Sequence, residues 1–455
     1  MPMRSSGVPN PVIQRVPQVS PWMAAWPWLL FGLPLAALAW WFLGTPWNRQ
    51  PTIVVGVLHT RAGAAASAER TMVDGETLAV DELVRTGGLL GRNIRLVVAD
   101  GGEDPASFAK RAERLIREEK VDVIVGCATS ASRRAVVPVV EAADHLLVCP
   151  ARHEGFEESP AVVSLGPLPN QSVGPAVAWC REALAANRFF MVGVDDTWSR
   201  AAIAVAGDQL VATGGSVVGE EYLPPGSTDV ARTVRSIVSL RPDMVCSLLP
   251  VDATAQLLRR LREAGVRSAD MPVLLVGLDD EDLRVLPRDD LAGSYVAAGY
   301  LHDIDRPADR QTTRTAAPGG GGDRPVSERA LSAYEAIMLW ADAVRAAGTT
   351  EALTVRAALR RQTRATPEGV IAVDPATQHA WRTLSIGRVR PDGLVEAVWT
   401  SERPARPVPF PITRSRAEWT RFLAATERAR AGRRAAAAGS DAGAEAPTRE
   451  SDGPP

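Results

Sequence analysis

From residue 52 to about residue 300, short apolar runs alternate with amphipathic segments, and this alternation restricts the chain to a parallel α/β architecture. The clearest instance runs from Val121 to Glu157. VDVIVGC (121–127) is apolar, β-branched and flanked by polar residues, as in a strand covered on both faces. Thr129, Ser130 and Ser132 then place side-chain oxygens where the first amides of a helix lack partners. Val136, Val137, Val139 and Val140 give that helix an apolar side, and HLLVC (145–149) follows as a strand. Two parallel strands with a helical crossover bring both C-terminal loops to one sheet edge, which is where open α/β sheets bind ligands.

The same unit recurs on either side. TIVVGVLH (52–59) and NIRLVVAD (93–100) read as strands, each followed by a helix, the first stopping at Gly87-Gly88. A second series starts with a helix over 169–186. It continues through strands RFFMVGVD (188–195), SVVGEEYL (216–223), DMVCSLL (243–249), MPVLLVGL (271–278) and SYVAAGYL (294–301). The expectation is two Rossmann-like lobes, 52–168 and 169–304, taking in parts of 327–362 and 365–412 respectively. Residues 305–326, with Gly319 to Gly322, read as a flexible linker. SERALSAYEAIMLWADAVRAAG (327–348) has helical periodicity at Leu331, Tyr334, Ile337, Met338, Ala341 and Val344. A helix over 351–361 and strands at 369–373, 382–390 and 394–399 come next. Beyond Arg416 the run EWTRFLAATERARAGRRAAAA reads as a last helix that fades into a tail, and the composition of 427–455 predicts disorder there.

Between Trp22 and Trp47 no residue is charged, a length sufficient for the ~30 Å hydrocarbon core of a bilayer. Six of the twelve tryptophans (22, 26, 28, 40, 41 and 47) border or end this stretch, matching an interfacial aromatic belt. Arg4 and Arg15 precede it with no acidic residue. The reading is a cytoplasmic N-terminus (1–21), a transmembrane helix (22–47) in the inner membrane, and the bulk of the chain periplasmic or extracellular. The competing reading is a signal peptide cut after Ala37-Leu38-Ala39. A net charge of −2 gives no reason to expect nucleic acid as a partner. Each of the four cysteines (127, 149, 180, 246) sits in an apolar segment and reads as a buried thiol, although neighbouring strands would allow a Cys127–Cys149 bridge.

Several segments together resemble a known family. GVLHTRAG (56–63), LAVDELVRTGGLLGRNI (78–94), VGCATSASRRAVVPVVEAADHLLVCP (125–150), HEGFEESP (153–160) and GPLPNQS (166–172) are similar to type I periplasmic solute-binding proteins of ABC transporters. More narrowly they resemble the urea and short-chain amide branch, as does 335–399. The resemblance implies a two-lobed receptor that closes on a small polar solute (an amide, urea or amino-acid-like molecule). Its partner would be an ABC importer permease or a sensor or regulator. It implies no cofactor and no catalytic residue. Carried over by position, Ser130 matches the family's ligand-contacting serine and Thr60 a small hydroxyl position. Ala128 and Cys149 stand where the amide branch often has tyrosine, and Ala151 where it has threonine. Asp196 and Trp198 align with an aromatic pair, and Pro250 to Asp252 with a loop of small residues.

The residues themselves leave the same set open to two roles. Thr129 and Ser130 can donate to a solute oxygen or cap the helix they start. Asp196, Asp252 and Asp279, each following a strand, can accept from a ligand N–H or cap the next helix. Trp198 can cover a ligand or pack under a loop, and Arg152 can pair an anion or remain solvated. Enzyme chemistry has no foothold. The five histidines lack metal-ligand spacing, and neither a GxSxG elbow, a P-loop nor a GxGxxG turn is present.

Overall fold

The structure is a computed structural model describing residues 51–63, 66–301 and 327–444. The expected cytoplasmic N-terminus, transmembrane helix and 305–326 linker lie outside the described residues. Among the described residues no helix is long and apolar enough to cross a membrane.

The first half builds a five-stranded parallel sheet. Its elements are β1 (Ile53–His59), α1 (Ala66–Arg85), β2 (Ile94–Asp100), α2 (Pro105–Arg117), β3 (Val123–Gly126), α3 (Ser130–Ala142), β4 (Leu147–Cys149) and β5 (Val162–Ser164). The strand order is β2-β1-β3-β4-β5. Period-two alternation explains why β1 has no polar face: Ile53, Val55 and Val57 enter one core, Val54 and Leu58 the other. On the second of these faces lie Phe108 of α2 and Val136 and Val140 of α3.

After a single 3-10 turn at Pro169–Gln171, the second half gives α4 (Val173–Leu184), β6 (Arg188–Val194), α5 (Thr197–Ala212), β7 (Ser216–Leu223) and α6 (Ala231–Leu240). Then come β8 (Met244–Leu248), α7 (Val251–Glu263), β9 (Val273–Val276), α8 (Asp280–Val285), α9 (Arg288–Leu291) and β10 (Tyr295–Ala298). The chain returns through α10 (Glu328–Ala347) and α11 (Ala352–Leu359), whose Trp340, Val344, Val355 and Leu359 complete the first face of the first sheet. A small antiparallel sheet follows, of β11 (Thr363–Thr366), β12 (Gly369–Val373) and β13 (Ala380–Trp381), and its Ile371 and Val373 join that same core. By contrast β14 (Ser385–Val389) and β15 (Val395–Thr400) extend the second sheet, whose order is β15-β14-β10-β9-β8-β6-β7 with β14 antiparallel to β10. The fold is thus α/β, with a parallel first sheet and a second sheet that is parallel except for its β14–β15 edge.

The expected last helix is present, but it is longer than expected: α12 (Arg416–Ala444) runs through 427–444, which corrects the disordered tail over that part. Its alanines and arginines are strong helix formers, and Trp419, buried among otherwise exposed residues of the first turn, anchors the helix. The optional Cys127–Cys149 bridge is not formed; all four cysteines are free and buried.

Candidate functional site

Loops from the C-terminal edges of both sheets meet at one place, and the contact that joins them is Arg152. It leaves the loop after β4, and its guanidinium donates to the Gly277 carbonyl oxygen beyond β9 at 2.7 Å. The same guanidinium lies 4.3 Å from the centre of the Trp198 ring in the first turn of α5, a cation–π contact. Gly277 is required here: its φ is +86°, and a Cβ on it would sit 2.2 Å from Arg152 Nη1. Among the described residues no carboxylate lies within ion-pair distance of Arg152. Desolvation of its guanidinium and the nearby Arg329 pull its pKa below the ordinary arginine range, with Asp196, Glu328 and Asp282 opposing from further off.

Trp198 is buried, yet its indole N–H has no partner among the described residues. A buried donor left unpaired costs free energy, so this one calls for an acceptor. Beside it, Asp196 caps α5 by accepting from the Ser199 amide at 2.6 Å, with burial pushing its carboxyl up. Asp252 sits on the exposed first turn of α7, after the strand between β6 and β9, with no hydrogen bond joining it to the Arg152–Trp198 pair.

On the first sheet the predicted residues are mostly committed within the protein. Thr129 is the N-cap of α3: its Oγ1 accepts from the Ser132 amide at 3.1 Å, closing a capping box. Ser130 Oγ donates to Glu154, whose other carboxylate oxygen accepts from Arg133 at 3.1 Å and from Arg134. Glu157 also takes both arginines, so the EGFEES turn is fixed onto α3 by charge-assisted bonds. Thr60 is buried, its amide bonded to Glu69 at 2.8 Å and its hydroxyl to the Ala62 carbonyl. Ala128 is half-buried between the left-handed Cys127 (φ 67°) and the cap. Ala151 is also half-buried, so close to Gly166 that a Cβ there would lie 2.1 Å from its carbonyl. Cys149 is not at a loop tip. It pairs with Ser164 as the last residue of β4 and lies in the core, which removes its thiol from solvent.

Beneath Thr60, His59 is enclosed by two glutamates of α1, with Nδ1 3.1 Å from Glu69 and Nε2 3.0 Å from Glu76. Burial opposes its positive form, but the charge and hydrogen bonds of Glu76 and Glu69 outweigh that and push it up to about 10.

The periplasmic binding protein domain matches residues 53–416. This chain belongs to that family. Solved structures with the same fold include a solute-binding protein of an R. palustris ABC transporter in complex with 4-hydroxybenzoate. It is 23% identical with a TM-score of 0.71, and the match covers 78% of this chain and 98% of that one. A leucine-binding protein from Thermotoga maritima is 20% identical with a TM-score of 0.68, covering 77% and 98%. A branched-chain amino acid transporter substrate-binding protein from Streptococcus pneumoniae, in complex with isoleucine, is 18% identical with a TM-score of 0.67, covering 76% and 99%. At these identities the likeness establishes the type I α/β fold. A limonene hydroxylase from Geobacillus stearothermophilus is 27% identical over 113 residues, 25% of this chain; the chain covers 21% of that protein's length.

Within this binding protein the sequence reading missed Arg329, which lies 3.2 Å from Asp279 and also pairs with Asp282 of α8. Arg329 is in the first turn of α10, which packs on the first sheet, so the pair is a second bridge to the second sheet. Burial pushes the Asp279 carboxyl up while Arg329 opposes it. Ser327 and Glu328 mark a helix start in the sequence, but no periodicity says that this helix end arrives beside the loop after β9. Asp279 itself is also an N-cap, accepting from the Glu281 and Asp282 amides of α8.

Proposed function

We propose that the protein is an extracytoplasmic solute-binding protein that closes on a small polar solute between its two sheets and passes it to an ABC importer. The observation that carries this reading is the pair Arg152–Trp198: a guanidinium that makes no direct ion pair among the described residues, with Asp196, Glu328 and Asp282 acting on it only from further off, lying over an indole whose N–H is unpaired. Both groups are hydrogen-bond donors in neighbouring loops, and each can take an oxygen acceptor. A urea or short-amide carbonyl, as the amide-branch resemblance implies, fits the donor pattern. A carboxylate fits a guanidinium that has no direct ion pair as well and is the favoured class, because a charged hydrogen bond is worth roughly 1.5–3 kcal/mol. Relatives crystallised with 4-hydroxybenzoate and isoleucine are consistent with an acid. The uncharged stretch 22–47 supports a single membrane anchor that holds the binding domain outside the cytoplasmic membrane.

The test is tryptophan fluorescence and thermal shift with acetamide, urea, isoleucine, benzoate and 4-hydroxybenzoate. The expected result is saturable binding of at least one acid, abolished or weakened by Arg152→Gln. Binding of urea or acetamide alone would overturn the carboxylate assignment, and folded protein responding to no compound would count against the solute-binding reading. A second reading, a ligand-sensing ectodomain acting on a regulator, is favoured by the Arg152–Gly277 and Arg329–Asp279 bridges, which join the sheets through the protein's own atoms. Solute uptake by cells carrying the protein with its importer separates the two.

A further inference from the structure

The family match stops at residue 416, where α12 begins, and the segment around that point joins both halves of the molecule. At the first-sheet side, the Phe156 amide donates to the Pro409 carbonyl at 2.9 Å. The Phe156 ring stacks on Trp419 with 4.5 Å between centroids and 13° between planes. Further along, Arg416 pairs with Glu158 at 2.8 Å and Glu427 with Arg134 of α3. At the second-sheet side, Arg414 makes a two-pronged bond to Asp208 of α5, both arms 2.7 Å. Arg433 does the same to Asp195 at 2.6 and 2.8 Å, and Arg430 donates to the Thr197 hydroxyl at 2.7 Å.

Three features make this more than surface packing. Trp419 is 0% exposed and forms a small core with Phe156 from the loop after β4 and with Ala201 and Val205 of α5. That core is separate from those of the two sheets and takes side chains from both halves, so moving the sheets apart must uncover one side of the indole. The helices that this segment reaches, α3 through the Arg134–Glu427 pair and α5 through the Trp419 core and the Asp208 pair, both start at the C-terminal edges of the sheets. Finally, Asp195 and Thr197 flank Asp196 and immediately precede Trp198, so Arg430 and Arg433 also hold the loop that carries the indole.

We propose that residues 409–433 form a clasp across the cleft of this binding protein, restraining its opening and acting as positioning residues for the Asp195–Trp198 loop. A bidentate arginine–carboxylate pair fixes orientation as well as distance, which a single lysine contact would not do. The clasp rests on the proposed cleft for its biological use, but its mechanical effect is measurable without any solute.

The experiment places nitroxide labels at Val98→Cys and Val285→Cys, exposed positions on β2 and α8, in the solute-free full chain; the four native thiols are buried. The expected result is one narrow distance distribution, which Arg414→Asp broadens towards longer distances and which the exchanged pair Asp208→Arg with Arg414→Asp narrows again. Glu427→Lys, at an exposed site facing Arg134, cuts the other end without disturbing a buried group and is expected to broaden the distribution too. An already broad wild-type distribution, or one unchanged by both Arg414→Asp and Glu427→Lys, would overturn the clasp. An empty solute screen would leave this measurement unaffected, so the two failures are distinguishable.

Discussion

At the scale of single residues, His59 has the most unusual surroundings. It is 1% exposed and sits between two carboxylates that are themselves buried. With its folded value at about 10 against 6.5 in the unfolded chain, its contribution to stability is complete below pH 6.5 and is lost as the pH rises towards 10. Ring NMR is expected to find one histidine still protonated at pH 8; a His59 that titrates near its ordinary value would refute the charged assignment. His59→Gln leaves two buried carboxylates without their cation, and thermal or denaturant unfolding at pH 7 is expected to register a loss of ~3–5 kcal/mol. The signal was partly legible: Glu69, Met72, Glu76, Ala79 and Leu83 follow the helical period, so two glutamates stood on the buried stripe of α1. What no local pattern supplies is that a histidine ten residues upstream would point between them. Arg152 was legible only as a loop arginine with two roles open; its partners Gly277 and Trp198 are 125 and 46 positions away. Replacing it by Gln removes the cation–π contact and the charged donor, so binding of the best acid in the fluorescence screen is expected to weaken by ~10–100-fold.

At the scale of elements, the pairing of α1 with α10 decides how the second bridge reaches the cleft. A Cβ on Gly75 of α1 would lie 2.1 Å from the Ala330 carbonyl oxygen, backbone against backbone, so neither helix can yield by a rotamer change. In an exposed helix Gly→Ala would stabilise by ~1 kcal/mol through propensity alone. Here the sign is expected to reverse: Gly75→Ala should destabilise by ~1–3 kcal/mol through overpacking and displace the first turn of α10. Because Arg329 sits in that turn, the Arg329–Asp279 pair should be lost as well. Denaturant melts give the sign, and a stabilised Gly75→Ala would show that the two helices are not in this contact. Elements were the most readable level. The strands at 52–59, 93–100 and 369–373 and the cap at Ser327 follow from apolar runs and stop signals. The three-residue β5 is not legible because PAVVS is too short to carry a period, and the last helix is legible from its sequence while its far end is not, since a solvated Gly/Asp/Glu composition and a helix end look alike.

At the scale of the whole molecule, the fold was readable because the alternation of apolar runs and helices has few parallel-sheet solutions, whereas the bridges between the halves were not. Arg152 reaches a partner 125 positions away, and α10 and α12 make contacts 252 and 238 positions apart, so only the assembled chain brings them together. The cysteines provide a way to test whether these bridges make the halves one cooperative unit. Cys127 and Cys149 lie in the core of the first sheet, Cys180 and Cys246 in that of the second. Burial pushes the Cys149 thiol up to about 12, with Arg133 opposing, and Cys246 likewise up to about 12, so the reactive thiolate is scarce as well as inaccessible. A thiol reagent added to native protein at pH 7 is therefore expected to find no rapidly reacting cysteine, and reductant should not alter the melting temperature. Under increasing denaturant, all four thiols are expected to become reactive at one concentration, because the Trp419 core and the Arg329 bridge fail only when both halves come apart. Reaction in two pairs at separate concentrations, resolved by mass spectrometry of the labelled peptides, would mean that each half unfolds independently and that the bridges couple them weakly.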